Sequence, residues 1–154
     1  MDGLQDRYAP EARCFGCGPM NAKGLRIKSY PGGAEHELVA SFSPKPWHQA
    51  FDGVLSGGIA GTLLDCHSNW AAAMFFMGKR KATAPPPTVT AEYSVRLKRP
   101  TPTTGLLTLR AKVIEGTDDR AIVEASIESG GVVTAACTGT FVAVGEDHPA
   151  YHRW

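Results

Sequence analysis

The feature that most constrains the fold is a long, nearly uninterrupted apolar run between residues 59 and 77. Its apolar residues recur at the spacing of an α-helix. One stripe consists of Ile59, Leu63, Cys66, Trp70, Ala73 and Met77, and other sides carry Leu64, Ala71, Ala72 and Phe75. A helix that is apolar nearly all round is buried. At 1.5 Å per residue, about 20 residues cross a whole small domain, so this helix needs a sheet large enough to wrap it.

Six segments around the helix alternate apolar and polar residues, which is the period of half-buried β-strands. The predicted strands are 24–30 and 35–43 before the helix, and 89–97, 107–113, 121–127 and 132–144 after it. In the first strand after the helix, strict alternation puts Val89, Ala91, Tyr93, Val95 and Leu97 on one face. Most of the connecting turns are short and rich in glycine or proline, which favours antiparallel neighbours.

The predicted order is therefore β-β-α-β-β-β-β, an α+β domain with one long helix and about six antiparallel strands. We expect this domain to span residues 14–145. Residues 1–13 are predicted to form a loose arm, and residues 146–154 a tail. Residues 44–53 and 78–87 are expected to be loops, because the first is turn-rich and the second ends in three prolines.

Composition narrows the function classes. The 16 basic and 15 acidic residues leave a net charge of +1, which offers no electrostatic footprint for nucleic acid. No segment reaches the ~20 apolar residues of a membrane helix, and the charged N-terminus lacks the apolar core of a secretory signal. The four cysteines are too sparse for a disulfide scaffold. We therefore expect a globular cytoplasmic protein with neither nucleic-acid nor membrane partners.

Asp65 is the most informative residue, because it lies in the middle of the apolar helix. A carboxylate there is unfavourable unless it is paired or hydrogen-bonded. It either joins a structural polar network at a wet boundary or acts as a base or nucleophile in a pocket that excludes water.

The helix begins after Ser56 with Gly57 and Gly58, where free N–H groups could stabilise an oxyanion. The alternative is that Ser56 is a simple N-cap and the glycines permit close packing. Asp65 lies eight residues beyond Gly57, about 12 Å along the helix, so a site using both would need a second subunit.

Two further groups of residues have possible chemistry. Cys14 and Cys17 form a CxxC pair, but no second CxxC or HxxxH follows, so no metal site is predicted. His36, Cys66 or His67 could complete a metal site with this pair only if folding brought them next to it. A strand rather than a helix follows the pair, which disfavours a thioredoxin-like role. The basic clusters 79–81 and 96–99 would suit a ligand with phosphates at one end, although such runs are usually solvated faces.

Two passages resemble one branch of the hotdog-fold acyl-coenzyme A thioesterases, the phenylacetate-degradation type. Residues 14–25, CFGCGPMNAKGL, resemble that branch's CFGCGxxNPxGL entry. Residues 48–58, HQAFDGVLSGG, with the following TLLD at 62–65, resemble its HQGxxGxxHGG…LLD passage. The similarity extends over residues 14–144. It implies a helix wrapped by a curved antiparallel sheet and a dimer, or a dimer of dimers, with active sites between subunits.

The resemblance also implies residue roles. Asp65 would activate water or attack the thioester, the Gly57 amide would polarise the thioester carbonyl, and Thr90 would orient the water. The remaining residues predicted to contact substrate are Ser56, Gly58, His48, Cys66, Trp70, Lys79, Arg80 and Arg96. The acyl group is expected against Trp70, Ala73 and Met74. No cofactor is expected, since coenzyme A is part of the substrate.

Three positions depart from the family pattern. Ser56 replaces the histidine before the two glycines, Cys66 replaces an acid after Asp65, and Ala50 stands where some relatives have a catalytic asparagine. The prediction is hydrolysis of a small or aromatic acyl-coenzyme A. The alternatives are a hotdog protein that binds acyl thioesters or another apolar ligand without hydrolysis, an enoyl-thioester hydratase, and a zinc-knuckle adaptor.

Overall fold

The computed structural model describes all residues 1–154. It contains two helices, eight strands and one 3-10 turn. The helices are α1 (Leu4–Tyr8) and α2 (Gly57–Arg80), and the 3-10 turn is Pro46–His48. The strands are β1 (Tyr30–Pro31), β2 (Glu37–Phe42), β3 (Gln49–Phe51), β4 (Val54–Leu55), β5 (Thr88–Leu97), β6 (Leu107–Gly116), β7 (Arg120–Ser129) and β8 (Val132–Ala143).

Six of these strands form one antiparallel sheet in the order β1-β2-β6-β7-β8-β5. Helix α2 packs across its concave side against β5, β6, β7 and β8. The predicted α+β architecture, with a long helix wrapped by a six-stranded antiparallel sheet, is confirmed. Strands β3 and β4 form a separate small hairpin inside the segment predicted as a loop.

The core lies between α2 and the sheet. The helix contributes buried residues on nearly every side, and the inward faces of β6, β7 and β8 contribute alternate residues, as the sequence periods predict. Its fully buried side chains include Leu63, Leu64, Trp70, Phe76, Leu107, Leu109, Val123, Ile127 and Phe141. The helix continues three residues beyond the predicted end, and Lys81 terminates it in the left-handed conformation with φ 51°.

The predicted first strand, 24–30, is wrong in extent. Only Tyr30 and Pro31 pair with β2, opposite Val39 and Leu38. Arg26 has a φ of 52°, which interrupts an extended strand. Backbone amides earlier in this segment instead donate to the loop that contains Cys14 and Cys17. For example, the Leu25 amide donates to the Phe15 carbonyl at 2.8 Å.

The predicted loose N-terminal arm is also wrong, because its first residues pack into the domain. Gln5 is fully buried and exchanges two hydrogen bonds with Ser29, at 2.9 and 2.8 Å. The Ser29 hydroxyl lies 2.9 Å from Nδ1 of His67, whose Nε2 lies 3.1 Å from the Leu38 carbonyl. Since a carbonyl only accepts, Nε2 carries the proton and Nδ1 accepts from Ser29. This chain of bonds fastens α1 to α2 and β2.

The C-terminal tail folds back onto the domain. The indole of Trp154 stacks on Trp70, with ring centroids 4.6 Å apart and planes 14° from parallel. The Arg153 guanidinium donates to the Thr88 carbonyl at 2.9 Å. The tail therefore covers the helix beside the start of β5.

A β-bulge changes the face assignment in β5. Val89 pairs with Val142 and Thr90 with Phe141, but the register shifts before Glu92, which pairs with Thr140. Directly opposed residues point to the same side of a sheet. Thr90 therefore shares the helix-facing side with Phe141, and the prediction that Val89 shares the face of Tyr93 is wrong.

No helix in the structure has the length and apolar character needed to traverse a lipid bilayer.

His67 should make the fold sensitive to acid. Complete burial lowers its pKa to about 4, because the protonated ring would lose its hydration. His67 becomes protonated near pH 6.5 in the unfolded chain but only near pH 4 in the folded chain. The free energy of unfolding should therefore decrease as the pH is lowered from 6.5 to 4. This residue should account for about 3 kcal/mol of the decrease.

Urea unfolding of the wild type, His67→Gln and the exposed control His152→Gln at several pH values checks this prediction. We expect a shallower loss of unfolding free energy between pH 6.5 and 4 in His67→Gln only. Equal slopes in all three proteins would contradict it.

Candidate active site

The candidate site is centred on Asp65, which lies at a half-buried position in the first half of α2. The Thr90 hydroxyl donates a 2.6 Å hydrogen bond to its Oδ1. One turn further along the same helix face, Asn69 donates to the Thr88 carbonyl at 3.1 Å. These two contacts align α2 with the start of β5 and hold the carboxylate in one orientation.

The environment of Asp65 makes its carboxylate more basic than usual. Burial raises the pKa of this carboxyl, because the ionised form loses hydration. The hydrogen bond from Thr90 opposes that shift, and so does the positive charge of Arg153. A carboxylate with a raised pKa, half open to solvent and with one oxygen occupied by Thr90, can accept a proton at its other oxygen.

The second part of the site is the N-terminus of α2. Ser56 precedes the helix without a side-chain capping bond, and Gly57 and Gly58 begin it. The first amides of an α-helix have no partner within the helix, so they can donate to a ligand. A Cβ atom on Gly57 would come within 3.0 Å of Leu97 Cδ1, which shows how closely β5 approaches this amide. Ser56 and Gly58 lie where the resemblance predicts substrate.

A cavity of about 330 Å³ opens at this helix end. Its walls include Phe51, Gly57 and Leu97, and its rim includes Lys98 and Arg99. The apolar walls and the two cations form a site for a ligand that is apolar at one end and anionic at the other.

One protomer keeps the two parts of the site apart. Helix α2 is continuous from Gly57 past Asp65, so their eight-residue separation corresponds to about 12 Å along its axis. Tyr93 occupies the surface between them. Its hydroxyl would lie 3.8 Å from a Cβ on Gly61, and burial together with the charge of Asp65 raises the pKa of its phenol.

Several predicted substrate residues lie away from the open surface. Trp70 is 1% exposed and covered by Trp154, and Ala73 is fully buried, so neither lies on the surface of one protomer and the acyl slot along them stays a prediction. Cys66 is buried among the cysteines of the N-terminal loop. His48 is nearly buried, stacks on Phe42 and accepts a 3.0 Å bond from the Lys45 amide.

The predicted basic residues lie at different ends of the molecule. Lys79 and Arg80 are in the last turn of α2, about 33 Å from Gly57, and Arg80 donates to the Asp118 carbonyl at 2.8 Å. Arg96 is exposed on the side of β5 opposite the helix, paired with Ala136. None of them reaches the cavity at the helix N-terminus in the same chain.

Sequence reasoning missed four residues that surround the site. Lys98 and Arg99 lie in the basic cluster 96–99, but the predicted substrate contacts include only Arg96 from that cluster. Alternation predicts only that Tyr93 shares a face with Val95 and Leu97, and it is 44% exposed. No sequence pattern predicts that Arg153 lies near the site, because nothing in the terminal tail indicates that it folds back to Thr88.

Comparisons with known proteins identify the fold. No protein-family model matches the chain, and no curated protein matches it. Among solved structures, a thioesterase superfamily protein from Shewanella loihica is 29% identical, with a TM-score of 0.63 over 77% of this chain and 91% of that one. The PaaI protein from the phenylacetic acid degradation operon of Escherichia coli is 18% identical, with a TM-score of 0.64 over 80% and 83%.

A thioesterase from Haemophilus influenzae is 17% identical, with a TM-score of 0.65 over 80% of this chain and 84% of that one. These similarities confirm the predicted hotdog fold. They connect the chain with structures of the thioesterase superfamily.

Proposed function

We propose that this protein is an acyl-coenzyme A thioesterase that works as a homo-oligomer. The observation that carries the proposal is the Asp65–Thr90 pair, a half-buried carboxylate with a raised pKa whose Oδ1 accepts a 2.6 Å hydrogen bond from the Thr90 hydroxyl. Asp65 forms no ion pair within 4 Å, so its second carboxylate oxygen is not occupied by a cationic side chain. The similarity to thioesterase superfamily structures supports the same reaction class.

In the proposed reaction Asp65 acts as a general base. It removes a proton from water while the water oxygen bonds to the thioester carbonyl carbon. The resulting oxyanion is stabilised by the Gly57 amide at the positive end of the helix dipole. The carbon–sulfur bond then breaks, the coenzyme A thiolate leaves with the electron pair, and the proton held by Asp65 returns to it. Direct attack by the carboxylate would form an anhydride that water opens.

A second copy of the chain is proposed to bring the two parts together. Strand β5 is an edge strand of ten residues whose middle residues, from Ala91 to Ser94, are exposed. A long edge that is neither charged throughout nor covered is a template for pairing. Antiparallel pairing of β5 with its copy would join two sheets and place Asp65 of each chain opposite the helix N-terminus of the other.

The cavity beside Gly57 is the proposed entry for the substrate. Its apolar walls suit the pantetheine chain and acyl group, and Lys98 and Arg99 suit phosphates. The predicted residues Lys79, Arg80 and Arg96 are too remote within one chain, so any substrate contact by them would come from the partner. Ser56 and Gly58 remain proposed substrate contacts at the helix start, whereas the nearly buried His48 is not included.

Asp65→Asn should reduce kcat by about 10²–10⁴-fold, because the amide cannot accept the proton. The wild-type rate should fall as pH decreases through the raised pKa of Asp65, since only its ionised form is a base. Thiol release from short, long and aromatic acyl-coenzyme A substrates measures both effects.

Asp118→Asn, at an exposed acid near the far end of α2, serves as the matched control and should retain activity. Wild-type turnover in Asp65→Asn would contradict the role of Asp65. Tight binding of acyl-coenzyme A by the wild type without thiol release would favour the non-hydrolytic alternative.

Replacing both Lys98 and Arg99 with alanine should raise KM for acyl-coenzyme A about tenfold while leaving kcat similar, because the two cations contact only the phosphates. Acyl-pantetheine, which lacks those phosphates, should show no change. Arg120→Ala, an exposed cation at the start of β7 near the opposite end of α2, is the control. An equal loss with both substrates would contradict the phosphate contact.

A further inference from the structure

Three of the four cysteines come together although one of them is far away in sequence. The Sγ atoms of Cys14, Cys17 and Cys66 all lie within 4.8 Å of one another. Cys14 and Cys17 come from the N-terminal loop, and Cys66 comes from α2, directly after Asp65. All three are free thiols, as is Cys137 on β8, which lies outside this cluster.

The loop is shaped so that it can approach the helix this closely. A Cβ on Gly16 would lie 2.3 Å from Cys66 Sγ and 2.9 Å from Thr62 Cγ2. A Cβ on Gly18 would lie 2.4 Å from the Cys14 amide nitrogen. Neither position tolerates a side chain, so the two glycines between and after the cysteines are required by the cluster itself.

The spacing of the sulfur atoms is that of ligands around a small thiophilic ion. Four thiolates at the usual zinc–sulfur length of about 2.3 Å have neighbouring sulfurs about 3.8 Å apart at tetrahedral angles. Cys14 Sγ and Cys66 Sγ are 3.7 Å apart. That separation is far longer than a disulfide bond, for which about 2.05 Å is required.

The surroundings stabilise negative charge on sulfur. The Trp70 indole N–H lies 3.4 Å from Cys17 Sγ and donates to it. Outer donors of this kind orient metal-binding thiolates and tune them. The cluster is closed on the helix side, where Cys17 and Cys66 are buried, and half-exposed at Cys14.

We propose that Cys14, Cys17 and Cys66 bind one Zn²⁺ ion, with water in the fourth position, and that this ion fastens the N-terminal loop to the central helix beside Asp65. Binding releases the thiol protons to solvent and leaves three thiolates on the metal. Neither histidine that the sequence offered takes part. Both ring nitrogens of His67 are hydrogen-bonded, to Ser29 and to the Leu38 carbonyl, and His36 packs against Phe75. The proposal does not rest on the thioesterase reaction.

The test uses the full chain, reduced and stripped of metal, and Zn²⁺ alone as the probe. We expect one ion per chain by elemental analysis after gel filtration of the reloaded protein. Cys14→Ser, Cys17→Ser and Cys66→Ser should each abolish stoichiometric binding, whereas Cys137→Ser should retain it. Zinc should also raise the Tm of the wild type and of Cys137→Ser, but not of the other three variants.

A second measurement keeps the test independent of how well the variants fold. Co²⁺ added to the metal-free wild type should produce a thiolate-to-metal charge-transfer band and the visible ligand-field bands of a tetrahedral ion. Absence of zinc at one per chain, a cobalt spectrum without thiolate bands, or equal loss in Cys137→Ser would overturn the proposal. So would a Cys14–Cys66 disulfide in the purified protein whose reduction does not restore zinc binding.

Discussion

The structure depends on the burial of α2 against the concave side of its sheet. This 24-residue helix buries residues on nearly every side, and the sheet, the N-terminal segment and the C-terminal tail all close over it. Apolar burial on this scale is the dominant favourable contribution to folding. It also makes any polar group on the helix informative, since such a group costs stability unless it is satisfied.

The polar residues of α2 are divided among distinct faces. His67 contacts Ser29 and Leu38, Asp65 and Asn69 contact the start of β5, and Cys66 contacts the cysteine loop. Because α2 is continuous, each face is fixed relative to the others. Asp65 is thereby held at a constant distance from the helix N-terminus, and no movement within one chain brings it to Gly57.

The bulge in β5 determines how the strand serves the site. With strict alternation Thr90 would point away from the helix, and Asp65 would lose its hydroxyl donor. The extra residue turns Thr90 inward while Tyr93, Val95 and Leu97 keep their inward direction. The same strand leaves its outer edge unpaired. One strand therefore positions the carboxylate and provides the surface on which a second copy can pair.

Much of the fold could be predicted, because the 3.6-residue and two-residue periods record which side of each element is buried. Helix α2 and strands β2 and β5 to β8 all follow from those periods. The wrong strand and face predictions occur where a local backbone conformation interrupts the two-residue period of a strand. Arg26 adopts a positive φ, and the bulge at Ala91 shifts the face of β5.

The candidate site was predictable only in part. Asp65 stands out in the sequence because burying a carboxylate among apolar residues is unfavourable. Arg153 and Trp154 belong to a tail that folds back onto the domain, and no local sequence pattern predicts such a contact. The cysteine cluster shows the same limit. The CxxC pair is visible in the sequence, whereas the arrival of Cys66 depends on tertiary packing across about 50 residues.

The central claim is that one working site takes Asp65 from one chain and the Gly57 amide from another. The most direct measurement mixes two purified variants, Asp65→Asn and Gly57→Pro, under conditions that allow subunits to exchange. Proline removes the Gly57 N–H at a first helical position that tolerates it, and Ser56 before it is already extended, so each variant should be nearly inactive alone. Half of the dimers would be mixed, each with one intact site, so thioesterase activity should recover to about a quarter of the wild-type value. Activity that stays at the level of the separate variants, with exchange verified by mass spectrometry, would contradict a site shared between chains.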